Sequence, residues 1–320
     1  AVLLVAAMSL VCLTGPVLAG SAEPPTDPEA YAAWKRSLIG VDATPPAVQS
    51  AAPAAPTGGG LLVDFESGDG WTPLPGNDDG TTQELALGFN FAFYGTVWAG
   101  VFVNNNGNIS FGDPFPSFSP LGFPSTDFSM LAPFWSDVDT RCQDCGLAYY
   151  KLETTSDGSG KLFVAHWEKV ARFEQGAGLG NTFQVAISNG NHPKLGAGNN
   201  VCFSYGDMQW TTGDASGGMD GFGGVPATVG ANRGDGVTFF QYGRFDHEGG
   251  DYAGPGGAPD GVSFLDGQTV CFSTAQGLNV PPVVTGLPDG NTYVVQVGET
   301  LDERLSFFSG ELDQVTTVSV

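Results

Sequence analysis

Positive charge is what this chain has least of. Lys and Arg together number 11 against 34 Asp and Glu, a formal net charge of −23 at pH 7. Nucleic acid and anionic membrane surfaces are therefore repelled, whereas cationic partners or divalent cations are favoured. Histidine is scarcer still. His166, His192 and His247 are the whole supply, and none has the spacing of a zinc protease or a nucleophile triad, so each reads as a satisfied structural residue. Cysteine is limited to five positions, and the long apolar run without charge is Ala1 to Ala19. That run, followed by small residues with candidate cleavage after Ala19 or Ala22, predicts a secretory signal over residues 1–22, with a signal anchor as the alternative. It has no initiator Met and no basic flank, which suggests that a few leading residues precede it. Cys12 follows Leu10 and Val11 without the small residue of a lipid-attachment box and is expected to leave with the peptide.

Turn formers and apolar residues are abundant. With 48 Gly, 22 Pro, 41% hydrophobic and 12% aromatic residues, the composition is that of a globular chain with many turns and an ample core. The most informative stretch runs from Leu87 to Asp139. Phe89, Phe91 and Phe93 repeat at period two, as do Val97, Ala99, Val101 and Val103, which is the pattern of half-buried strands. Asn104-Asn105-Asn106-Gly107 then supplies residues that tolerate positive φ, and Asn108 to Phe111 resume the alternation, so a hairpin is expected.

Several blocks together carry a family likeness: Phe89-Asn90-Phe91 with Phe93-Tyr94-Gly95, Val103 to Phe111, and Ala132-Pro133-Phe134-Trp135-Ser136-Asp137-Val138-Asp139-Thr140. Trp167, Asn181 to Val185 and Tyr205 to Gly218 follow in order. This succession resembles the nidogen-like extracellular (NIDO) domain family over roughly Leu61 to Thr274. The resemblance implies an all-β fold, an antiparallel β-sandwich-like module, in a secreted or cell-surface protein. It implies non-catalytic cell-matrix adhesion through a matrix or surface protein or glycan, without naming the ligand.

The organisation expected around that module is a signal over residues 1–22, a short helix and linker over 23–60, the nidogen-like domain over 61–276, and a further β segment over 277–320. Asp27 and Pro28 followed by Tyr31, Trp34 and Leu38 on one face predict a capped helix, either docked or loose. The Ala/Pro run from Ala43 to Pro56 and Gly58-Gly59-Gly60 read as linker. After Asn279-Val280-Pro281-Pro282, alternation at Tyr293, Val295 and Val297, and later at Val315, Thr317, Val318 and Val320, is similar to the opening of a bacterial immunoglobulin-like or cadherin-like repeat. Three strands are too few for a sandwich core, so that repeat is expected to be truncated, as in a bacterial surface adhesin.

Four cysteines remain for an oxidising compartment. Cys202 and Cys271 each lie in a strand-like run and are paired with one another. Closing that loop is worth about 4 kcal/mol in the chain-entropy model. Cys142-Gln143-Asp144-Cys145 is left as a small structural disulfide, half a zinc site or a redox motif.

Candidate chemistry is sparse. Asp137 and Asp139 fall on one face of an extended segment, which suits a hydrogen-bonded structural network, a calcium site or, least of all, a hydrolytic carboxylate dyad that would need a pocket. Asp78-Asp79-Gly80, and Asp214 with Asp220, are further oxygen donors for calcium, the one cofactor the sequence suggests. Trp210 and Asp214 are expected to be exposed and to contact a ligand. Arg233-Gly234-Asp235 has hairpin composition between apolar runs, and Gly112-Asp113-Pro114-Phe115 lacks the histidine of an autoproteolytic site. The function expected is extracellular adhesion. The alternatives are a self-associating structural matrix component and, weakest, an enzyme.

Overall fold

The computed structural model describes residues 27–37, 57–58, 60–176, 178–254, 258–275, 283–285 and 306–308. A helix α1 (Pro28–Ser37) is followed by β1 (Thr57–Gly58), β2 (Thr72–Pro73), β3 (Leu85–Phe93), β4 (Thr96–Asn104), β5 (Asn108–Phe111), β6 (Ser129–Trp135), β7 (Val138–Asp139) and β8 (Ala148–Thr154). Then come β9 (Lys161–Arg172), β10 (Asn181–Ser188), β11 (Val201–Tyr205), β12 (Ala227–Asn232), β13 (Phe239–His247), β14 (Asp260–Gly261) and β15 (Gln268–Phe272). One sheet has the order β1-β15-β11-β10-β9-β8-β2, with β7 added against β9, and the other β14-β13-β12-β6-β5-β4-β3. Every pairing is antiparallel except β13 with β14. The expected all-β, sandwich-like class is borne out.

The predicted hairpins form for the reasons expected. β3 turns into β4 at Tyr94 and Gly95, both at positive φ, the geometry that follows strand twist in a two-residue turn. β4 turns into β5 through Asn105, Asn106 and Gly107. Gly107 is required there on two counts: its φ is +75°, and a Cβ would stand 1.9 Å from the Phe134 carbonyl oxygen of β6. The Arg233-Gly234-Asp235 tripeptide lies in the β12–β13 turn, where Asp235 accepts from the Val237 and Thr238 amides at 2.9 and 2.6 Å, so its carboxylate serves its own turn.

Inward-facing residues of the two sheets meet in one core. Trp167 stacks on Phe183 at 5.0 Å, and Phe134 meets Phe183 across the sheets at 5.6 Å. β10 is buried at every position because its outer face is also covered. There Gln184 acts as a surrogate strand: its amide oxygen accepts from Val63 N at 3.1 Å and its amide nitrogen donates to Val63 O at 2.7 Å. Phe115, Phe123 and Phe128 cover the outer face of β6 around Trp135 in the same way. Cys202 sits opposite Cys271 in the β11–β15 ladder and the two are joined by a disulfide; Cys142 and Cys145 form a second.

Helix α1 starts where the sequence places it. The Asp27 carboxylate accepts from the Ala30 amide at 2.9 Å, capping a free N–H of the first turn, and Tyr31 and Trp34 lie within the helix, whereas Leu38 lies outside the described residues. Of the two expectations for this segment, the docked one holds. Ala32 packs with Phe173 and Ala215 of the module. Near the far end, β16 (Val283–Thr285) and β17 (Ser306–Phe308) pair antiparallel. The alternating runs at 293–297 and 315–320, the signal at 1–22 and the Ala/Pro stretch at 43–56 lie outside the described residues.

Candidate functional site

Acidic residues converge at one place, and the Asn-rich turn builds it. Rather than facing water, Asn104, Asn105, Asn106 and Asn108 are all buried. Asn105 donates to the carbonyl oxygens of Val138 at 2.7 Å and of Asp78, and its own carbonyl accepts the Trp167 indole N–H at 3.0 Å. Asn106 donates to Asp79 Oδ1 at 2.8 Å and accepts from the Val138 amide at 2.9 Å. The preceding loop is zipped to the residue that follows β7, because Asn77 N donates to Thr140 Oγ1 and Thr140 N donates to Asn77 O, each at 2.9 Å. These bonds bring Asp78 and Asp79 beside Asp137, so that one carboxylate oxygen from each lies within 4.8 Å of the others.

What fills the cluster is a side chain from outside the sandwich. Lys35 of α1 places its ammonium 2.6 Å from Asp137 Oδ1, 2.9 Å from Asp78 Oδ1 and 3.1 Å from Asp79 Oδ1. The rings of Phe118 and Phe173 stand 4.4 and 4.2 Å from the same nitrogen, within cation–π range. Lys35 and Asp137 are both 0% exposed. One turn earlier, the Tyr31 hydroxyl donates to Asp79 Oδ2 at 2.7 Å. Arg141 closes the other side: its guanidinium grips Asp139 through Nε at 2.9 Å and Nη2 at 2.7 Å and reaches Asp78 at 3.5 Å.

Four carboxylates thus face two cations, and burial together with the neighbouring negative charge shows in the titration of Asp78 and Asp137. Burial first, and then Asp79, push the Asp78 carboxyl up to about 7 against the pull of Lys35. Burial holds the Asp137 carboxyl well above the usual carboxylate range. The three aspartates surrounding it outweigh burial at Lys35 and raise its ammonium above the ordinary lysine value. Burial and Asp79 also raise the Tyr31 phenol, which stays a donor. Protons therefore enter this site at the carboxylates; they do not leave from the lysine.

The structure sorts the candidate residues. Asp137 and Asp139 do share one cluster, but they are held by different cations, Lys35 and Arg141. The trio with cation-site spacing is Asp78, Asp79 and Asp137, and a lysine ammonium stands in it where an ion would. Asp139 has its oxygens committed to Arg141 and to the amides of Arg141 and Gln175. Asp214 is ion-paired with Arg172 and partly exposed. Trp210 corrects the sequence reading: it is fully buried, not exposed. Its indole N–H donates to Val170 O at 3.0 Å, and Asn181 holds both its amide and its carbonyl, because this segment crosses the end of the core against Phe134. A dyad would need a pocket, and the cavity of about 240 Å³ beside Cys145, Lys169 and Gln209 is lined by neither Asp137 nor Asp139. His166 pairs with Glu168 at 3.0 Å and stacks on Phe65, and burial lowers its pKa, as for a structural histidine.

The participants that sequence reading missed are Lys35, Tyr31, Arg141, Phe118, Phe173 and the inward-facing asparagines. The available signal was a lysine beside Tyr31 and Trp34 on a short capped helix, in a chain with so few basic residues.

Comparison with known proteins places this architecture. The chain is 34% identical to mouse alpha-tectorin and 35% identical to human alpha-tectorin over 206 residues, 57% of this chain and 9% of each relative. It is 28% identical to fruit-fly (Drosophila melanogaster) nidogen over 179 residues, 49% of this chain and 13% of that protein. The chain therefore covers only about a tenth of the length of these relatives. No solved structure matches it. The family described as NIDO related matches residues 63–243, more than half of the chain and all of the acidic cluster's sandwich side, and the chain belongs to that family.

Proposed function

We propose that this chain is a secreted or cell-surface, non-catalytic module that mediates cell-matrix adhesion by contacting extracellular matrix proteins. The observation that carries the proposal is the state of its acidic cluster. The carboxylate trio with cation-site spacing among the described residues is closed by Lys35 and Arg141 and does not line the cavity beside Cys145, which is the build of a structural contact and not of a reaction site. Kinship with alpha-tectorin and nidogen supports the extracellular setting, as do two disulfides. A net charge of −23 favours cationic matrix partners and disfavours anionic membranes and nucleic acid. The reading includes a leader over residues 1–22, the module over 61–276 and an immunoglobulin-like segment beginning at 277.

The test is binding of the intact chain to arrays of matrix proteins and glycans at low and at near-physiological salt. Saturable binding to a matrix protein that weakens with salt supports adhesion. Turnover of a hydrolysable glycan, lost on Asp137→Asn, would replace the proposal with catalysis. A second reading, a self-associating structural component, is favoured by the way α1 is held.

A further inference from the structure

Helix α1 sits on the sandwich as a ligand sits in a receptor. A helix of ten residues is too short to persist alone in water, so its contacts keep it folded. Those contacts concentrate in one buried ammonium between three aspartates and two phenylalanine rings, supported by Tyr31 on Asp79 and by Ala32 on Phe173 and Ala215. Nothing on the sandwich side depends on α1 arriving by its own tether: Asp78, Asp79 and Asp137 are positioned by Asn77, Asn105, Asn106 and Thr140. Residues 38–56 join α1 to β1, and a segment of that length reaches about 65 Å when extended. A folded unit the size of residues 60–275 is only about 45 Å across.

We propose that the Asp78–Asp79–Asp137 socket is a receptor for the Lys35-bearing α1 segment of this chain, filled by a molecule's own helix when copies are dilute and by a neighbour's helix when they are crowded. This rests on the reading of the module as a non-catalytic extracellular contact unit and gives its self-association a mechanism. Socket and helix are different surfaces, so the contact is head-to-tail and extends from copy to copy unless it closes as a ring. Covalent attachment keeps a molecule's own helix at a high effective concentration near its own socket, so exchange belongs to dense surface layers and not to dilute solution.

Two full-length variants remove that competition. Lys35→Ala keeps the socket and loses the plug; the Asp78→Asn, Asp137→Asn double variant keeps the plug and loses the socket. Mixed together, they are expected to form a one-to-one complex in analytical ultracentrifugation, whereas each alone remains monomeric. Two cooperatively folded variants that do not pair would overturn the proposal. Should either variant fold poorly, a wild-type chain with a protease site introduced between Ala43 and Pro56, cut after folding, leaves the socket untouched. Its α1 fragment must then exchange with a labelled peptide of sequence 26–40, and the same peptide with Lys35→Ala must compete roughly tenfold or more less well. Equal competition, or no exchange, refutes the proposal. Binding of the intact chain to matrix arrays is read separately, so failure here leaves the adhesion reading standing.

Discussion

Replacing Lys35 by Met keeps the length of the side chain and removes its charge, leaving Asp78, Asp79 and Asp137 around an apolar tip. Each aspartate oxygen lies 2.6 to 3.1 Å from the present ammonium, and Lys35 and Asp137 are fully buried. Removing one partner of a buried ion cluster costs about 3–5 kcal/mol, because the remaining charges keep their desolvation penalty. For a module of this size that is a fall in midpoint of about 6–20 °C at pH 8. The cluster has two ways to limit the loss: α1 undocks and water reaches the aspartates, or the carboxylates take up protons. The second route is open because Asp137 already sits well above the usual range and Asp78 near 7. The deficit of Lys35→Met should therefore shrink at pH 5. Denaturant melts of the wild type, Lys35→Met, Asp137→Asn and the double variant at both pH values supply the coupling energy. A deficit below about 1 kcal/mol at pH 8, with no coupling to Asp137→Asn, is what an exposed ion pair gives and would refute the buried-socket account.

The remaining predictions concern pH, metal and core. Asp78 has a folded pKa of about 7 against 3.8 for the free group, so its contribution to stability is complete below pH 4 and is lost as pH rises through about 7. Melting midpoints should decline over that window, and Asp78→Asn should flatten the decline; an equally steep profile in the variant assigns the slope to other carboxylates. Calcium at millimolar concentration should leave the wild-type midpoint where EDTA leaves it, because Lys35 occupies the aspartate trio, whereas Lys35→Ala should gain a calcium-dependent rise. A calcium shift in the wild type would show that the ion displaces the lysine or binds elsewhere. Trp210→Ala removes a fully buried indole and its bond to Val170 O, at a cost of about 3–5 kcal/mol. It should lower the unfolding midpoint in proportion; a stable variant that has lost only matrix binding would restore Trp210 as a contact residue.

Much of the sandwich was legible along the chain because strand pairing within hairpins is local. Period-two phenylalanines and valines, an Asn-Gly turn and an Asp27-Pro28 start each declare a backbone geometry through residues a few positions apart. The pairing of Cys202 with Cys271 was legible too, since each sits in its own apolar strand. Exposure was not. Trp210 lies between polar residues in a Gly-rich stretch, and the pattern that makes it look exposed says nothing of Phe134 and Val170 closing over it. The asparagine turn formed the expected hairpin, but its sequence did not tell that the side-chain amides are spent inside the protein on Val138, Asp78 and Asp79.

From its sequence alone this protein was determined to be an acidic, turn-rich, antiparallel β chain, since those features reside in composition and short-range period. Only the tertiary structure decided that Lys35 neutralises Asp137. The two are 102 positions apart, and no local periodicity relates a helix outside the sandwich to a strand end within it. Their attraction becomes strong only after Asn105, Asn106 and the two phenylalanine rings have removed the water between them.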